Sequence, residues 1–291
     1  MTTTNHLEDT TMPQPRTALG SHAPIPPTHD APGATLYYET RGSGPLLALL
    51  GTPDGTETYA ELAELLASKR TVLTYDPRGT GRSTSQSDNY DDTPELRASD
   101  LHHLLATVTD EPIDLFGSSG GAMTGLALVT ANRRRVRRLV AHEPPVITAL
   151  PDAAEIRTRI DEVVTTAHTA GAPAAWARFL TVTGMPTSAD GNDDPRDPQP
   201  DENIDPDGDY FLTRMLPHTP RYYPDLQALW AADTQVLFGV GADSGDQLPR
   251  RATTALAARL HNHVTEFPGG HLGYLTHPDE FGALLDRLIP T

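Results

Sequence analysis

No cysteine occurs among the 291 residues, which excludes disulfides, thiolate metal sites and a cysteine nucleophile. Lysine is nearly absent too: Lys69 is the single one, so most Schiff-base and lysine-base chemistry falls away. No apolar run approaches the roughly 18 residues a membrane-crossing helix needs. The N-terminal stretch lacks the basic start and apolar core of a secretory signal, so a cytoplasmic location is expected. Positive charge is scarce as well, with 22 Lys and Arg against 39 Asp and Glu and a net charge of -17. That field repels nucleic acid phosphates and anionic membranes, so neither is an expected partner. The one basic cluster, Arg133, Arg134, Arg135, Arg137 and Arg138, follows a predicted helix, where cations complement the carbonyl end of the helix dipole.

What is present reads as globular: 37% hydrophobic residues, with 23 Gly and 27 Pro adding turn or unstructured sequence. The length allows one large α/β domain. Residues 1–33 are rich in Pro and Thr without periodicity and are expected to form a disordered tail. From Thr35 onward, short apolar runs (TLYYET, PLLALL, TVLTY, IDLFG, RRLVAHE, TQVLFGV, HVTEF) alternate with amphipathic stretches. Runs apolar on both faces imply a covered, mostly parallel sheet, and the alternation implies a doubly wound α/β arrangement. Helix 94–108 is predicted by Leu101, Leu104, Leu105 and Val108 behind a Thr93 cap and Pro94. The alternation breaks over 147–233, where three helical patterns suggest an insertion on a core of 34–146 and 234–291. Within it, 187–209 holds nine carboxylates and four prolines and reads as a mobile, solvated loop.

The strongest chemical signal is Gly117-Ser118-Ser119-Gly120-Gly121, between the strand IDLF and a helix of small residues. A serine on such a turn is held in a strained backbone and exposed at a helix N-terminus, which makes Ser119 the candidate nucleophile. It needs a base, and His271 in PGGHLGY lies after the last predicted strand and before the last helix, where the chain returns to the same edge. Two carboxylates compete to orient that imidazole. Asp243 follows the strand TQVLFGV, giving the order Ser, Asp, His; Glu143 closes the strand RRLVAHE and is stiffened by Pro144 and Pro145. Asp243 is also explained as a turn residue, whereas a glutamate closing an apolar strand needs a hydrogen-bonded partner. His142, beside Glu143, is expected to face the opposite side of the strand.

With these motifs the sequence resembles the α/β-hydrolase superfamily over 35–291: GxSxG at Ser119, TYDPRGTGRS at 74–83, the late His271 and THPDEF before the last helix. The resemblance implies a mainly parallel eight-stranded sheet with a helical cap after the sixth strand, where 147–233 falls. In most members the acid follows the seventh strand, matching Asp243. In a subset including the lactone hydrolases that open the mycotoxin zearalenone, it is a glutamate in an A-H-E-x-P context, which AHEPP at Glu143 resembles. The family's HG dipeptide after the third strand is replaced by Leu50-Gly51-Thr52-Pro53, so the oxyanion donors are assigned to the amides of Thr52 and Gly120. The implied activity is that of a serine hydrolase cleaving a carboxylic ester or lactone through an acyl-enzyme, without metal or organic cofactor. Trp176, Phe179, Met185, Phe211, Met215, Tyr222 and Tyr223 are the cap residues expected to contact this small-molecule substrate. The alternatives on the same fold are a natural-product pathway enzyme (cyclase, C–C hydrolase or acyltransferase) or a non-catalytic ligand receptor.

Overall fold

The computed structural model describes residues 27–86, 91–186 and 206–291. A nine-stranded sheet runs through these residues: β1 (Thr28–Ala31), β2 (Ala34–Arg41), β3 (Leu46–Leu50), β4 (Thr71–Tyr75), β5 (Thr84–Ser85), β6 (Ile113–Ser118), β7 (Val136–His142), β8 (Gln235–Gly241) and β9 (Val264–Phe267). The helices are α1 (Ala60–Leu66), α2 (Pro94–Val108), α3 (Gly120–Ala131), α4 (Ala153–Ala170), α5 (Ala172–Thr183), α6 (Pro206–Tyr210), α7 (Leu226–Trp230), α8 (Leu248–Arg259), α9 (Gly273–Thr276) and α10 (Pro278–Leu288). The strand order is β1-β2-β4-β3-β6-β7-β8-β9, with β5 paired to β2. From β4 to β9 every pairing is parallel, while β1, β2 and β5 pair antiparallel.

This is an α/β-hydrolase fold, and the central strands β3 and β6 explain it at the level of sequence: their side chains are buried throughout or nearly so, as strands covered on both faces require. One apolar cluster packs α2 and α3 on one face, and another packs α1, α9 and α10 on the other. A third joins α4, α5, a π turn at Phe211–Met215 and α8, so the described helices of the inserted segment pack on α8. No helix among the described residues is long and apolar enough to cross a membrane.

Two boundaries differ from the sequence reading. The expected tail includes a strand, because Thr28–Ala31 folds back on Ala34–Thr35 and beyond through Gly33 at φ 77° and pairs with β2; main-chain pairing requires no apolar periodicity. The end of the expected 187–209 loop is the helix α6, anchored where both carboxylate oxygens of Asp207 accept the Gly81 N–H at 2.8 and 2.9 Å. The rest of that loop, 187–205, lies outside the described residues, as does most of the tail.

The turn receiving Asp207 is itself braced by buried charge. Asp76 accepts N–H groups of Thr56 and Arg82 at 2.7 and 2.9 Å, and Arg78 forms a bidentate pair with Asp100 at 2.5 and 2.6 Å. These pairs fix the segment on which the inserted helices rest.

Candidate active site

Ser119 sits between β6 and α3 with φ 53° and ψ -124°, a strained conformation for a residue with a Cβ. Close packing favours glycine at the two positions after it. A Cβ on Gly121 would lie 2.2 Å from the Leu50 carbonyl oxygen, and one on Gly120 would lie 2.8 Å from the Thr52 Cβ. The same contacts place Thr52 and Gly120 side by side next to Ser119, at the first turn of α3, where backbone N–H groups lack partners within the helix. The Ser119 N–H donates to the His142 carbonyl at 2.9 Å, tying this turn to the end of β7.

At that strand end the chain breaks its extended alternation. Glu143 has φ 47°, its N–H donates to the Gly239 carbonyl at 3.0 Å, and Pro144 and Pro145 follow. Its side chain is fully buried. Oε1 accepts the Gly241 N–H at 2.9 Å, and Oε2 lies 2.6 Å from His271 Nδ1. Burial pushes this carboxyl up, but the hydrogen bond and charge of His271, aided by His142 and the Gly241 amide, outweigh it and bring the carboxyl down to about 2. Glu143 therefore stays ionised down to about pH 2, with its two oxygens already engaged.

The structure thus brings Glu143 and His271 together, and leaves Asp243 apart. The Asp243 side chain is exposed and makes no hydrogen bond or ion pair among the described residues; only its N–H is engaged, donating to the Gly269 carbonyl at 2.9 Å. No hydrogen bond joins Ser119 to His271, whose Nδ1 is engaged by Glu143.

His142 does not face away from this centre as extended geometry predicts, since the left-handed backbone at Glu143 ends that alternation. Its ring is buried among Phe116, Phe267 and Phe281 and stacks at 6.4 Å on His271. On the other side, the Tyr274 hydroxyl donates to Asp54 at 3.1 Å, linking the segment after Thr52 to the helix that follows His271. Neither contact has a local sequence signature.

A cleft opens over Ser119, lined by Thr52 and Gly120 and by apolar side chains of the inserted helices. Of the expected contact residues, Phe179, Met185 and Phe211 line it. The other four do not. Trp176 packs against Phe179 and Phe211 at 5.3 and 5.5 Å without lining the cleft; Met215 is buried in the cluster of α4 and α5. Tyr222 is buried on the α2 and α3 side, and Tyr223 is 54% exposed. Pro145, Ile147, Ile160, Leu216 and Leu248 line the cleft instead, which follows from how the inserted helices dock and not from any periodicity. No group of His, Asp and Glu among the described residues stands in a metal-binding arrangement.

A family model described as "Alpha/beta hydrolase family" matches residues 46–284. The uncharacterized hydrolase YraK of Bacillus subtilis is 30% identical over 271 residues, covering 90% of this chain and 95% of that one. A zearalenone hydrolase of Cladophialophora bantiana is 28% identical over 261 residues, covering 86% and 90%. Among solved structures, a thermophilic esterase from Thermogutta terrifontis superposes with a TM-score of 0.70 at 21% identity, covering 90% of this chain and 95% of that one.

Proposed function

The chain belongs to the alpha/beta hydrolase family and is a hydrolase of that family, and on that premise we propose that it cleaves a carboxylic ester or lactone through an acyl-enzyme on Ser119. His271 Nε2 takes the Ser119 hydroxyl proton as Oγ attacks the carbonyl carbon. Glu143 holds the Nδ1 proton and offsets the charge of the imidazolium. The amides of Thr52 and Gly120 receive the oxyanion, a contribution of about 2.7–4 kcal/mol per donor. The tetrahedral intermediate expels the alkoxide, which takes the proton from His271; water then attacks the acyl-enzyme by the same route and releases the acid. For a lactone the freed alcohol stays part of the acyl group, and the second step releases a single hydroxy acid.

The observation carrying this reading is the 2.6 Å contact between His271 Nδ1 and a glutamate buried from solvent, next to a serine at a strained turn. Burying a carboxylate is costly unless it is paired, and this one is paired with an imidazole. The relative called a zearalenone hydrolase and the fold neighbour called an esterase lend support to ester or lactone cleavage.

The test is p-nitrophenyl ester hydrolysis, acetate to octanoate, by the native chain and by Ser119→Ala, Glu143→Gln and Asp243→Asn. The expected result is turnover with a burst of nitrophenol, its loss in Ser119→Ala, a fall of roughly 10^3- to 10^4-fold in Glu143→Gln, and near-native rates in Asp243→Asn. Collapse of Asp243→Asn with Glu143→Gln intact would reverse the assignment of the acid.

A further inference from the structure

Beyond the reacting group, the cleft gives a substrate little to bond to. No charged side chain stands among the described residues lining it, and Ile147, Ile160, Phe179, Met185, Phe211 and Leu248 form much of its wall. Its polar side chains are hydroxyls of Thr52, Ser119, Thr183 and Thr219. Three of the four already donate to backbone carbonyls nearby in sequence: Thr52 Oγ1 to Gly51 at 2.5 Å, Thr183 Oγ1 to Phe179 at 2.9 Å and Thr219 Oγ1 to Met215 at 3.3 Å. A hydroxyl has one proton, so these three have none left for a ligand. The remaining hydroxyl belongs to Ser119. The aromatic part of the wall is stiffened by Trp176, whose ring stacks on Phe211 at 5.5 Å and meets Phe179 edge-on at 5.3 Å.

We propose that this cleft admits only the uncharged, apolar part of a substrate, so that the enzyme acts on neutral esters or lactones carrying a hydrocarbon group and rejects the same skeleton bearing a charge there. This rests on the reading of the site as an ester or lactone hydrolase. Each methylene transferred from water to such a wall should tighten binding about fourfold. A carboxylate brought against that wall, beyond Ser119 and the Thr52 and Gly120 amides, finds no cation and no free side-chain donor among the described residues, so its hydration is lost without replacement.

Binding can be read without turnover. The chain has two tryptophans, and Trp230 is 65% exposed on α7, away from the cleft-lining residues. In Ser119→Ala carrying Trp230→Phe, Trp176 becomes the sole tryptophan, excited selectively over the tyrosines at the red edge of its absorption, and it touches two wall residues. This protein is titrated with hexyl acetate, octyl acetate and 8-acetoxyoctanoate, and the unsubstituted chain is assayed for hydrolysis of all three. The expected result is octyl acetate bound roughly 16-fold more tightly than hexyl acetate and at least about a hundredfold more tightly than its carboxylate analogue. Equal or tighter binding of 8-acetoxyoctanoate, or affinity indifferent to chain length, overturns the proposal. Should the variant show the preference while the unsubstituted chain cleaves none of the esters, the apolar cleft stands and the hydrolytic reading falls. Cleavage of both eight-carbon esters at equal kcat/KM does the reverse.

Discussion

His142 should make this fold sensitive to mild acid. Its imidazole is fully buried, with Nδ1 3.2 Å from Ser118 Oγ and Nε2 without a hydrogen-bond partner among the described residues. Burial lowers its pKa most, the nearby Glu143 carboxylate pulls it up, and His271 lowers it further, moving it from 6.5 to about 3. An unfolded chain therefore binds a proton at this residue below pH 6.5, while the folded chain refuses it until about pH 3. The unfolded state then holds more protons, so stability falls as pH drops through that window. One group contributes a slope of up to about 1.4 kcal/mol per pH unit, or about 2 kcal/mol between pH 7 and pH 5. Glu143 does not interfere there. Its depressed carboxyl supports the fold above about 4.5 and loses that contribution only as pH falls toward about 2. The assay is urea unfolding of the native chain and of His142→Phe and His142→Asn, at pH 7 and pH 5. The native chain should lose about 2 kcal/mol more than either variant across that interval. A chain of this size should show it as a Tm difference of roughly 4–8 °C. An equal loss in all three proteins would refute the reasoning, whatever the variants' stability at pH 7.

Other parts of the structure make separate predictions. Arg97 and Asp92 are buried and paired at 2.6 Å, so Arg97→Met, which strands the carboxylate, should cost about 3–5 kcal/mol in chemical denaturation, and adding Asp92→Leu should recover much of it. Gly121→Ala would place a Cβ 2.2 Å from the Leu50 carbonyl oxygen, and should lower stability by about 1–3 kcal/mol and remove ester turnover together; a stable, active variant would contradict the packing of this turn. Asp207→Ala removes the carboxylate that receives the Gly81 N–H, which should loosen the inserted helices by about 0.5–1.5 kcal/mol and raise KM more than it lowers kcat.

The sequence by itself determined the sheet and the turn that carries Ser119, because both are local properties of the chain. Strands such as Leu46–Leu50 and Ile113–Ser118 are legible as short apolar runs, and Gly117, Gly120 and Gly121 around Ser119 mark a backbone that other residues cannot follow. Helix 94–108 is equally legible from its Thr93 cap, whose hydroxyl accepts the Leu96 N–H at 3.2 Å. Local pattern has no access to contacts between residues far apart in the chain. Glu143 and Asp243 both follow strands and both precede His271, and although an apolar strand closed by a glutamate favours Glu143, local sequence leaves Asp243 as its rival. Only the left-handed backbone at Glu143 and the docking of the loop after β9 bring its carboxylate to 2.6 Å from His271, while Asp243 turns to solvent. The strand at Thr28–Ala31 was likewise hidden, since main-chain pairing leaves no mark on side-chain periodicity. The wall of the cleft was decided the same way: Ile147, Ile160 and Leu248 come from three separate elements and become neighbours only when their apolar faces close over Ser119. A one-dimensional pattern records which face of an element is apolar; what that face meets is fixed by packing among all of them.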